Sequence, residues 1–469
     1  MRLLLNHANR LYPYPPAAKR TRRNRHRTAP GPLPRASRRH HSQDRRHAHS
    51  YNPGGLSSCQ SGGGRWLYHV WRDMLQWMRH VIPNTRAVRK PSAVDCFAGC
   101  GGMTEGLKAA GYNVLGAIEI DAAACEVYSL NHPEVRLWPN DVRKISAAAI
   151  LKTLNVRKGE LDLLGGCPPC QGFSTLRTRN GGKRVRDKKN DLIFEFQRLV
   201  LGLRPKRVML ENVPGLLTNR RLAKFKRALE AAGYIVQAKI LNVVDYGVPQ
   251  RRRRVVLLAS RVSGVEFAKP AKRCLTVRDA IGGMPKPGKS GDPVHDLPEN
   301  RAEHVRQLIR AIPRDGGSRN ALPERLALAC HKRFEGFYDV YGRMAWDDAA
   351  PTITTGCFNP SKGRFLHPID DRAITMREAA LLQSFRKSYK FPVNLGKIRL
   401  ATLIGNALPP AFIKRHAEHL LRATSPPVDA DKMPLKSQRR TRTDPSGIES
   451  AATTRRARGL RPLSAAKTM

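Results

Sequence analysis

The sequence predicts an α/β fold built on a doubly wound, mostly parallel sheet, and three observations predict it. Short apolar runs alternate with helix-like segments from residue 91 onward. The first run ends in a glycine-rich turn that opens a helix, and an acidic residue closes the second run. Because this alternation requires crossover connections, the strands should lie parallel and bind ligands beyond their carboxyl ends.

The predicted elements follow one alternating pattern. The first unit is a strand at 92–97, a helix at 103–110 that Gly111 ends, and a strand at 112–119. Further strands are predicted at 161–166, 207–213, 234–244 and 255–260, with helices at 191–203 and 221–232, which Pro205 and Gly233 close. Glycine accepts the left-handed conformation that often follows a helix and proline cannot continue one, so these residues indicate where the helices end.

The alternation is lost between residues 262 and 350. Glycine and proline punctuate this stretch, and one helix is predicted at 299–312. Helical patterns return with the capping box Thr375-Met-Arg-Glu378 and again at 411–421. We therefore expect five parts: a basic extension at 1–90, a core domain at 91–261, an inserted domain at 262–350, a return segment at 351–422 and a basic tail at 423–469.

The charge of the chain indicates a polyanionic partner. Its 469 residues include 85 Lys and Arg against 37 Asp and Glu, for a net charge of +48. That balance favours nucleic acid first and an anionic membrane surface second. An apolar content of 41% suffices for a core, and no apolar run approaches the roughly 18 residues of a membrane span. Nine scattered cysteines are typical of free thiols in a reducing cytosol, not of a disulfide framework.

Part of the charge lies outside the alternating segment. Residues 1–90 hold 19 basic residues and 2 acidic ones, and residues 423–469 hold 10 and 4. Neither stretch can bury enough apolar surface to offset its ordering entropy, so we predict disorder in both. Two interpretations of the first stretch stay open: a basic arm on DNA, or an extension upstream of a later start at Met74 or Met78. The remaining segment, 91–422, is itself basic.

The glycine-rich turn after the first strand is a candidate ligand site. Gly99, Gly101 and Gly102 leave bare backbone at the amino end of a helix, which favours anions. Glu119 lies 20 residues after Gly99, the spacing at which an acid meets ribose hydroxyls in dinucleotide folds. Thr104 breaks the dinucleotide fingerprint itself. A tight strand–helix connection is the alternative; we favour a nucleoside-bearing ligand whose identity the turn leaves open.

A pair of cysteines follows the third predicted strand, in Cys167-Pro-Pro-Cys170. Half of a zinc site, a redox pair and a structural cysteine compete as interpretations. Zinc needs further ligands at suitable spacing, so we predict no metal site. A redox pair usually opens a helix, which Gln-Gly-Phe-Ser does not favour. A thiol nucleophile on a loop fits better, with the Glu211 carboxyl group at the end of the next strand facing it.

Seven motifs in one order resemble those of the cytosine-5 DNA methyltransferases, of the bacterial modification-methylase type, from about residue 93 to residue 422. In chain order they are DCFAGCGG at 95–102, Glu119 with Asp141, Pro169-Cys170-Gln171, Glu211-Asn212-Val213, QRRRR at 250–254, REAALLQ at 377–383 and IGNALPP at 404–410. The resemblance implies a Rossmann-like methyltransferase fold dependent on S-adenosylmethionine, with residues 262–350 as a smaller target-recognition domain.

The resemblance also implies roles for individual residues. It places the cofactor against Phe97, Ala98, Gly99, Gly101, Gly102, Glu119, Ile120, Asp141, Val142, Pro169, Asn406 and Ala407. It assigns catalysis to Cys170, Gln171, Glu211, Arg252 and Arg254. Two details depart from expectation: Cys167 precedes the prolines where a less reactive residue is expected, and Ile120 stands where relatives carry an aromatic.

The implied reaction is methyl transfer from S-adenosylmethionine to C5 of a flipped-out cytosine in a specific double-stranded DNA sequence. The Cys170 thiolate would add to C6, Glu211 would contact N3 and the exocyclic amine, and Arg252 would help hold the base. Alternate arginines of the run at 251–254 are expected to point into the site. Contacts to phosphate or bases are expected from Arg314, Arg319, Lys332, Arg333 and Arg343.

The implied partner is double-stranded DNA, with a cognate restriction endonuclease as a possible genetic partner, no membrane contact and a monomeric state, in the bacterial cytoplasm at the nucleoid. Two other functions stay open. One is an RNA cytosine-5 methyltransferase acting on tRNA, which the long insert disfavours. The other is a catalytically idle, basic DNA-binding protein, which the set Cys170, Glu211 and Arg252 argues against.

Overall fold

The computed structural model describes residues 89–169, 191–328 and 339–423. Their centre is a seven-stranded sheet in the order β3-β2-β1-β4-β5-β7-β6. The strands are β1 (Ser92–Cys96), β2 (Asn113–Glu119), β3 (Arg136–Pro139), β4 (Leu163–Gly166), β5 (Arg207–Asn212), β6 (Ile235–Asn242) and β7 (Arg253–Ser260). The predicted α/β architecture is therefore confirmed.

Ten α-helices accompany the sheet within the described ranges. They are α1 (Gly102–Ala109), α2 (Ala122–Asn131), α3 (Ala147–Leu154), α4 (Leu192–Leu203), α5 (Arg220–Ala231), α6 (Val277–Ile281), α7 (Glu303–Ala311), α8 (Met376–Leu382), α9 (Gly396–Asn406) and α10 (Pro410–Arg422). Of these helices, none is long and apolar enough to cross a membrane.

The sheet is mostly parallel, with β7 as the exception. β1 pairs parallel with β2 and β4, β3 with β2, and β5 with β4. β7 lies between β5 and β6 and is antiparallel to both. No helix other than a short 3-10 turn at Val243–Tyr246 separates β6 from β7, so the chain folds back instead of crossing over.

Helices cover both faces of the sheet, which explains why the interior strand β1 is buried along its whole length. All five residues of β1 are buried. On one face, Leu107 of α1 and Phe412 of α10 pack in one core cluster. On the other face, Phe196 of α4 and Phe225 of α5 stack with ring centroids 6.0 Å apart. A strand covered on both faces is expected to be largely apolar, and β1 is so apart from the buried Ser92 and Asp95.

The segment 262–350 packs together with the residues that come after it in the chain. Val277, Ile281 and Met344 share a core cluster with Ala379 and Leu400, which lie in α8 and α9. The backbone also pairs across position 350, because Met344 N donates to Leu366 O at 2.9 Å. The proposed domain boundary at 350 therefore stays a prediction, and the predicted helix at 299–312 is shorter, at Glu303–Ala311.

Arg343 corrects one expectation about DNA contacts. Its side chain is fully buried, and its guanidinium donates to the backbone oxygens of Ile309, Ile312 and His367 at 2.9–3.1 Å. It also pairs with Asp371 at 2.6 Å. A guanidinium held this way cannot reach DNA, so the predicted contact was wrong; Arg343 instead joins the end of α7 to the segment before α8.

Candidate active site

The glycine loop connects β1 to α1 and depends on its glycines. Gly99 and Gly101 have φ of 55° and 92°, in the left-handed region that favours glycine. A Cβ atom on Gly101 would lie 2.6 Å from the Tyr389 hydroxyl and 2.7 Å from His132 Nε2, and one on Gly102 would overlap the Leu408 carbonyl oxygen. Tyr389, His132 and Leu408 therefore pack against one side of the loop, and a ligand can approach its backbone only from the other side.

Glu119 fixes this loop from the end of β2. Its Oε2 accepts from the Gly99 amide at 2.8 Å, and its Oε1 accepts from the amides of Ile120 and Asp121 at 2.9 Å. Ile120 is 66% exposed, which is unusual for a large apolar side chain. The carboxylate and an exposed apolar surface therefore lie side by side at the carboxyl end of β2, an arrangement suited to a ribose and a base.

Asp95 lies in β1, just before the glycine loop. No function was predicted for this residue from the sequence, although it belongs to the DCFAGCGG motif. The Thr104 hydroxyl donates to Asp95 Oδ2 at 2.8 Å and also contacts the Tyr128 hydroxyl at 2.8 Å. Burial raises the pKa of Asp95 to about 7.

His132 and Tyr389 support the loop at Gly101, and they were not predicted from the sequence. His132 Nε2 and the Tyr389 hydroxyl lie 3.1 Å apart. Because these residues are 257 positions apart in the chain, no local sequence pattern connects them.

The other predicted cofactor residues reach the same edge of the sheet. Glu119 pairs in register with Pro139, and Asp141 lies two residues beyond it. The Asp141 carboxylate accepts from the Arg143 amide at 3.0 Å and caps a 3-10 turn that begins at Val142, which is buried. Phe97 and Ala98 belong to the glycine loop; Ala98 N donates to Ile118 O at 3.0 Å.

The predicted closing motif meets the glycine loop. Asn406 ends α9 with an exposed side chain, whereas Ala407 is buried. Leu408, the next residue, presents the carbonyl oxygen that excludes a Cβ atom at Gly102. The structure therefore brings Asn406 and Ala407 beside the loop although 304 residues separate Gly102 from Asn406.

Two predicted catalytic residues, Cys170 and Gln171, lie outside the described residues. Pro169 is the last described position before them. The side-chain amide of Asn212 donates to Pro168 O at 2.8 Å, which ties the end of β5 to the segment that leads to Cys170. Because β4 pairs with β5 in the register Gly166–Leu210, Glu211 lies at the same edge as that segment.

Glu211 is a buried carboxyl group beside an arginine. It is 6% exposed, and Arg254 Nε lies 3.0 Å from its Oε1. Beyond this ion pair, no hydrogen-bond donor satisfies Oε1 among the described residues, so this oxygen keeps lone pairs for another partner. Burial raises the pKa of Glu211, and Arg254 and Arg252 oppose that shift. The site therefore favours the neutral acid more than an exposed glutamate does.

Arg252 is oriented toward the protein itself. Its guanidinium donates to Ile353 O at 3.0 Å and to Gly405 O at 3.1 Å, and burial lowers its pKa to about 9. Arg251 and Arg253 are exposed whereas Arg252 is buried, so burial alternates along the run; that its alternate arginines point into the site stays a prediction. Arg254, not Arg252, contacts Glu211; a contact of Arg252 with the substrate stays a prediction.

Of the four remaining candidates for DNA contact, the structure describes two. Arg314 is exposed and Arg319 half-buried, both in the stretch after α7. Lys332 and Arg333 lie outside the described residues. Roles for these four side chains stay predictions.

A glycine loop after the first strand, a carboxylate at the end of the second and a buried carboxyl group at the end of β5 define an α/β methyltransferase fold with its site at the carboxyl edge of the sheet. The model of the C-5 cytosine-specific DNA methylase family matches residues 92–422, and the chain belongs to that family. It is a DNA cytosine-5 methyltransferase.

Individual relatives agree with this assignment. The Type II methylase M.HgiDII of Herpetosiphon aurantiacus is 36% identical over 357 residues, 70% of this chain and 96% of that protein. The Type II methyltransferase M1.HphI of Haemophilus parahaemolyticus is 33% identical over 337 residues, 70% of this chain and 86% of that protein. A crystal structure named for a prophage-encoded DNA modification methyltransferase of E. coli aligns with a TM-score of 0.55 at 23% identity, covering 71% of this chain and 99% of that one, and so shares the fold.

Proposed function

We propose that the enzyme transfers a methyl group from S-adenosylmethionine to C5 of a flipped-out cytosine in a specific double-stranded DNA sequence, through a covalent bond between Cys170 and C6. The observation that carries this proposal is the buried Glu211 carboxyl group beside Arg254, one strand away from the segment that leads to Cys170. A buried acid with free lone pairs suits the N3 and amine edge of cytosine.

The residues at the glycine loop fit S-adenosylmethionine. The loop has no room for a Cβ atom at Gly101 or Gly102, so it offers bare backbone to a ligand. Glu119 would hold the ribose hydroxyls, Asp141 the adenine amine, and Ile120 one face of the adenine ring. When bound, S-adenosylmethionine supplies an electrophilic methyl group on a sulfonium centre.

The protein's own groups would then act on the cytosine. C5 is a poor nucleophile, and addition of the Cys170 thiolate to C6 pushes electron density onto it. Burial raises the pKa of Glu211, and in its protonated form this group would donate a hydrogen bond to N3 and stabilise the charge that develops on the ring. Loss of the C5 proton and then of the thiolate restores aromaticity.

The target cytosine must leave the DNA double helix for this chemistry to occur. Glu211 is almost fully buried, so a cytosine stacked within a duplex cannot present its N3 edge to it. We propose that residues 262–350 supply sequence recognition. Since the relatives M.HgiDII and M1.HphI carry Type II names, we also propose that this enzyme works beside a restriction endonuclease.

The test compares two neighbouring cysteines on DNA that contains 5-fluorocytosine. Fluorine at C5 cannot leave as a cation, so the bond from Cys170 to C6 should persist and survive denaturing electrophoresis. Cys170→Ser should abolish both this complex and the incorporation of labelled methyl groups. The control Cys167→Ser should retain both. Methyl incorporation by Cys170→Ser near the parent rate would overturn the proposal.

A further inference from the structure

We infer that α5 is a second DNA contact: a basic stripe that binds the phosphate backbone of the substrate at the rim of the active site. This inference rests on the double-stranded DNA substrate of the proposed function. The helix runs Arg-Arg-Leu-Ala-Lys-Phe-Lys-Arg-Ala-Leu-Glu-Ala and holds five basic residues and one acidic residue. It packs on the sheet through Leu222, Phe225 and Leu229, which leaves its charged side facing solvent.

The charges of α5 run against its own dipole. Its first turn holds Arg220 and Arg221 and no acid, and its last turn holds no base. Glu230, its one acid, lies near the carboxyl end. Cations at the amino end and an acid at the carboxyl end are both unfavourable for a helix, so helix stability does not explain this pattern. A bound anion at the amino end does.

The basic side chains of α5 are largely available. Among the described residues, Arg221 has an acidic partner, Asp191 at 2.8 Å, whereas Arg220, Lys224 and Arg227 have none. Lys224 lies over the Phe194 ring at 5.2 Å from its centroid, which leaves its charge uncompensated. The three side chains are exposed and spaced by four and three residues, so they share one face of the helix.

The topology places the start of this face at the edge of the sheet that carries Glu211. α5 connects β5 to β6, and both strands run antiparallel to β7 and hence parallel to each other. The helix therefore starts at the carboxyl edge, near Glu211 in the last two residues of β5, and runs back along the sheet. Arg220 lies nine residues after Glu211, and the stripe from Arg220 to Arg227 is about 10 Å long, enough for two or three phosphates.

The test measures how DNA binding depends on salt. The variant Arg220→Gln/Lys224→Gln/Arg227→Gln is titrated with a fluorescent 40-base-pair duplex of mixed sequence over a range of NaCl concentrations. Each phosphate contact contributes about 0.9 to the slope of log K against log salt, so the slope should shrink by about 2 to 3. Methyl transfer to plasmid DNA should show a higher KM for DNA at an unchanged kcat.

A matched control removes the same charge from the opposite edge. Arg136 starts β3, Lys152 lies in the last turn of α3 and Lys158 follows that helix, so all three lie at the amino edge of the sheet. They are exposed, and none has an acidic partner among the described residues. Arg136→Gln/Lys152→Gln/Lys158→Gln should change the slope by less than about 0.5, since it loses net charge without a phosphate contact.

Equal slope changes in the two triple variants would overturn the inference, because net charge alone would then explain them. An unchanged slope in the α5 variant would also overturn the inference. An acidic protein would then be the partner that the basic stripe fits. A parent enzyme that transfers no methyl group would count against the proposed function, while the comparison of slopes would still decide the role of α5. If the triple variant melts early, Arg220→Gln/Arg227→Gln, which keeps the contact of Lys224 with Phe194, gives the same comparison.

Discussion

Replacing Arg252 tests whether this residue is needed for the stability of the fold or for methyl transfer itself. Arg252→Met keeps the length of the side chain and removes its guanidinium. In the structure that group donates to the carbonyl oxygens of Ile353 and Gly405 at 3.0 and 3.1 Å and approaches that of Ala407 at 3.4 Å. These carbonyls belong to the segment before α8 and to the closing motif, so one side chain joins both to β7.

The expected loss of stability follows from counting acceptors. Ala407 O also accepts from the Gln383 side-chain amide at 3.3 Å and stays satisfied. Ile353 O and Gly405 O lose their donor, and an unsatisfied buried acceptor costs about 1 to 3 kcal/mol. Arg252→Met should therefore lower the free energy of unfolding by about 4 kcal/mol, a large share of the roughly 5 to 15 kcal/mol of an ordinary domain.

Urea unfolding followed by circular dichroism measures this loss, with Arg253→Met as the control. Arg253, the next residue and the first of β7, is exposed, so its replacement should change the free energy of unfolding by no more than about 0.5 kcal/mol. If Arg252→Met unfolds within about 1 kcal/mol of the parent and yet transfers no methyl group, the reasoning is refuted. Arg252 would then act on the substrate.

Three further predictions concern the site and the core. Glu211→Gln should fold normally and reduce kcat for methyl incorporation by about 10²- to 10⁴-fold, because an amide cannot supply a proton; a kcat within threefold of the parent's would contradict this role. His416 is buried, which lowers its pKa to about 3, so in acid the unfolded chain takes up a proton that the folded one refuses. Stability is thus lost as the pH falls below about 6.5. In His416→Phe, the plot of unfolding free energy against pH should therefore be less steep between pH 5.5 and 4.5, by about 1.4 kcal/mol per pH unit. The same slope in variant and parent would show that His416 does not cause this loss. Gly102→Ala would press a methyl group against the Leu408 carbonyl and should lower the unfolding midpoint and weaken binding of S-adenosylmethionine, by calorimetry, whereas Gly283→Ala, with open space around it, should do neither.

Local signals explain why part of the fold and site was predictable from the sequence. The strand at β1, the turn at Gly99 and the acid at Glu119 follow one another within 28 residues, and each is a short-range pattern. The capping box at Thr375 was also predicted, and the structure confirms it, with both reciprocal hydrogen bonds to Glu378 present. Predictions of this kind need only the neighbours of a residue along the chain.

The features that the sequence did not predict depend on tertiary packing. The region between β2 and β4 holds α2, β3 and α3, none of which was predicted; β3 has only four residues, too few to show a period. Arg343 was taken for a DNA contact because its charge is visible in the sequence, whereas its complete burial is a property of the fold. His132 and Tyr389 support Gly101 from two distant segments.

The largest such gap concerns how the later motifs act. Sequence resemblance gives separate tasks to the motifs at 250–254, 377–383 and 404–410, but their polar side chains form one buried cluster. Gln250 Nε2 donates to Gln383 Oε1 at 2.8 Å, and Gln383 Nε2 donates to Ile404 O at 2.6 Å. Arg252 reaches the same turn through Gly405. A motif residue can therefore be required for activity because it holds the closing turn against the glycine loop, which is why the unfolding of Arg252→Met, measured apart from its activity, decides between the two roles.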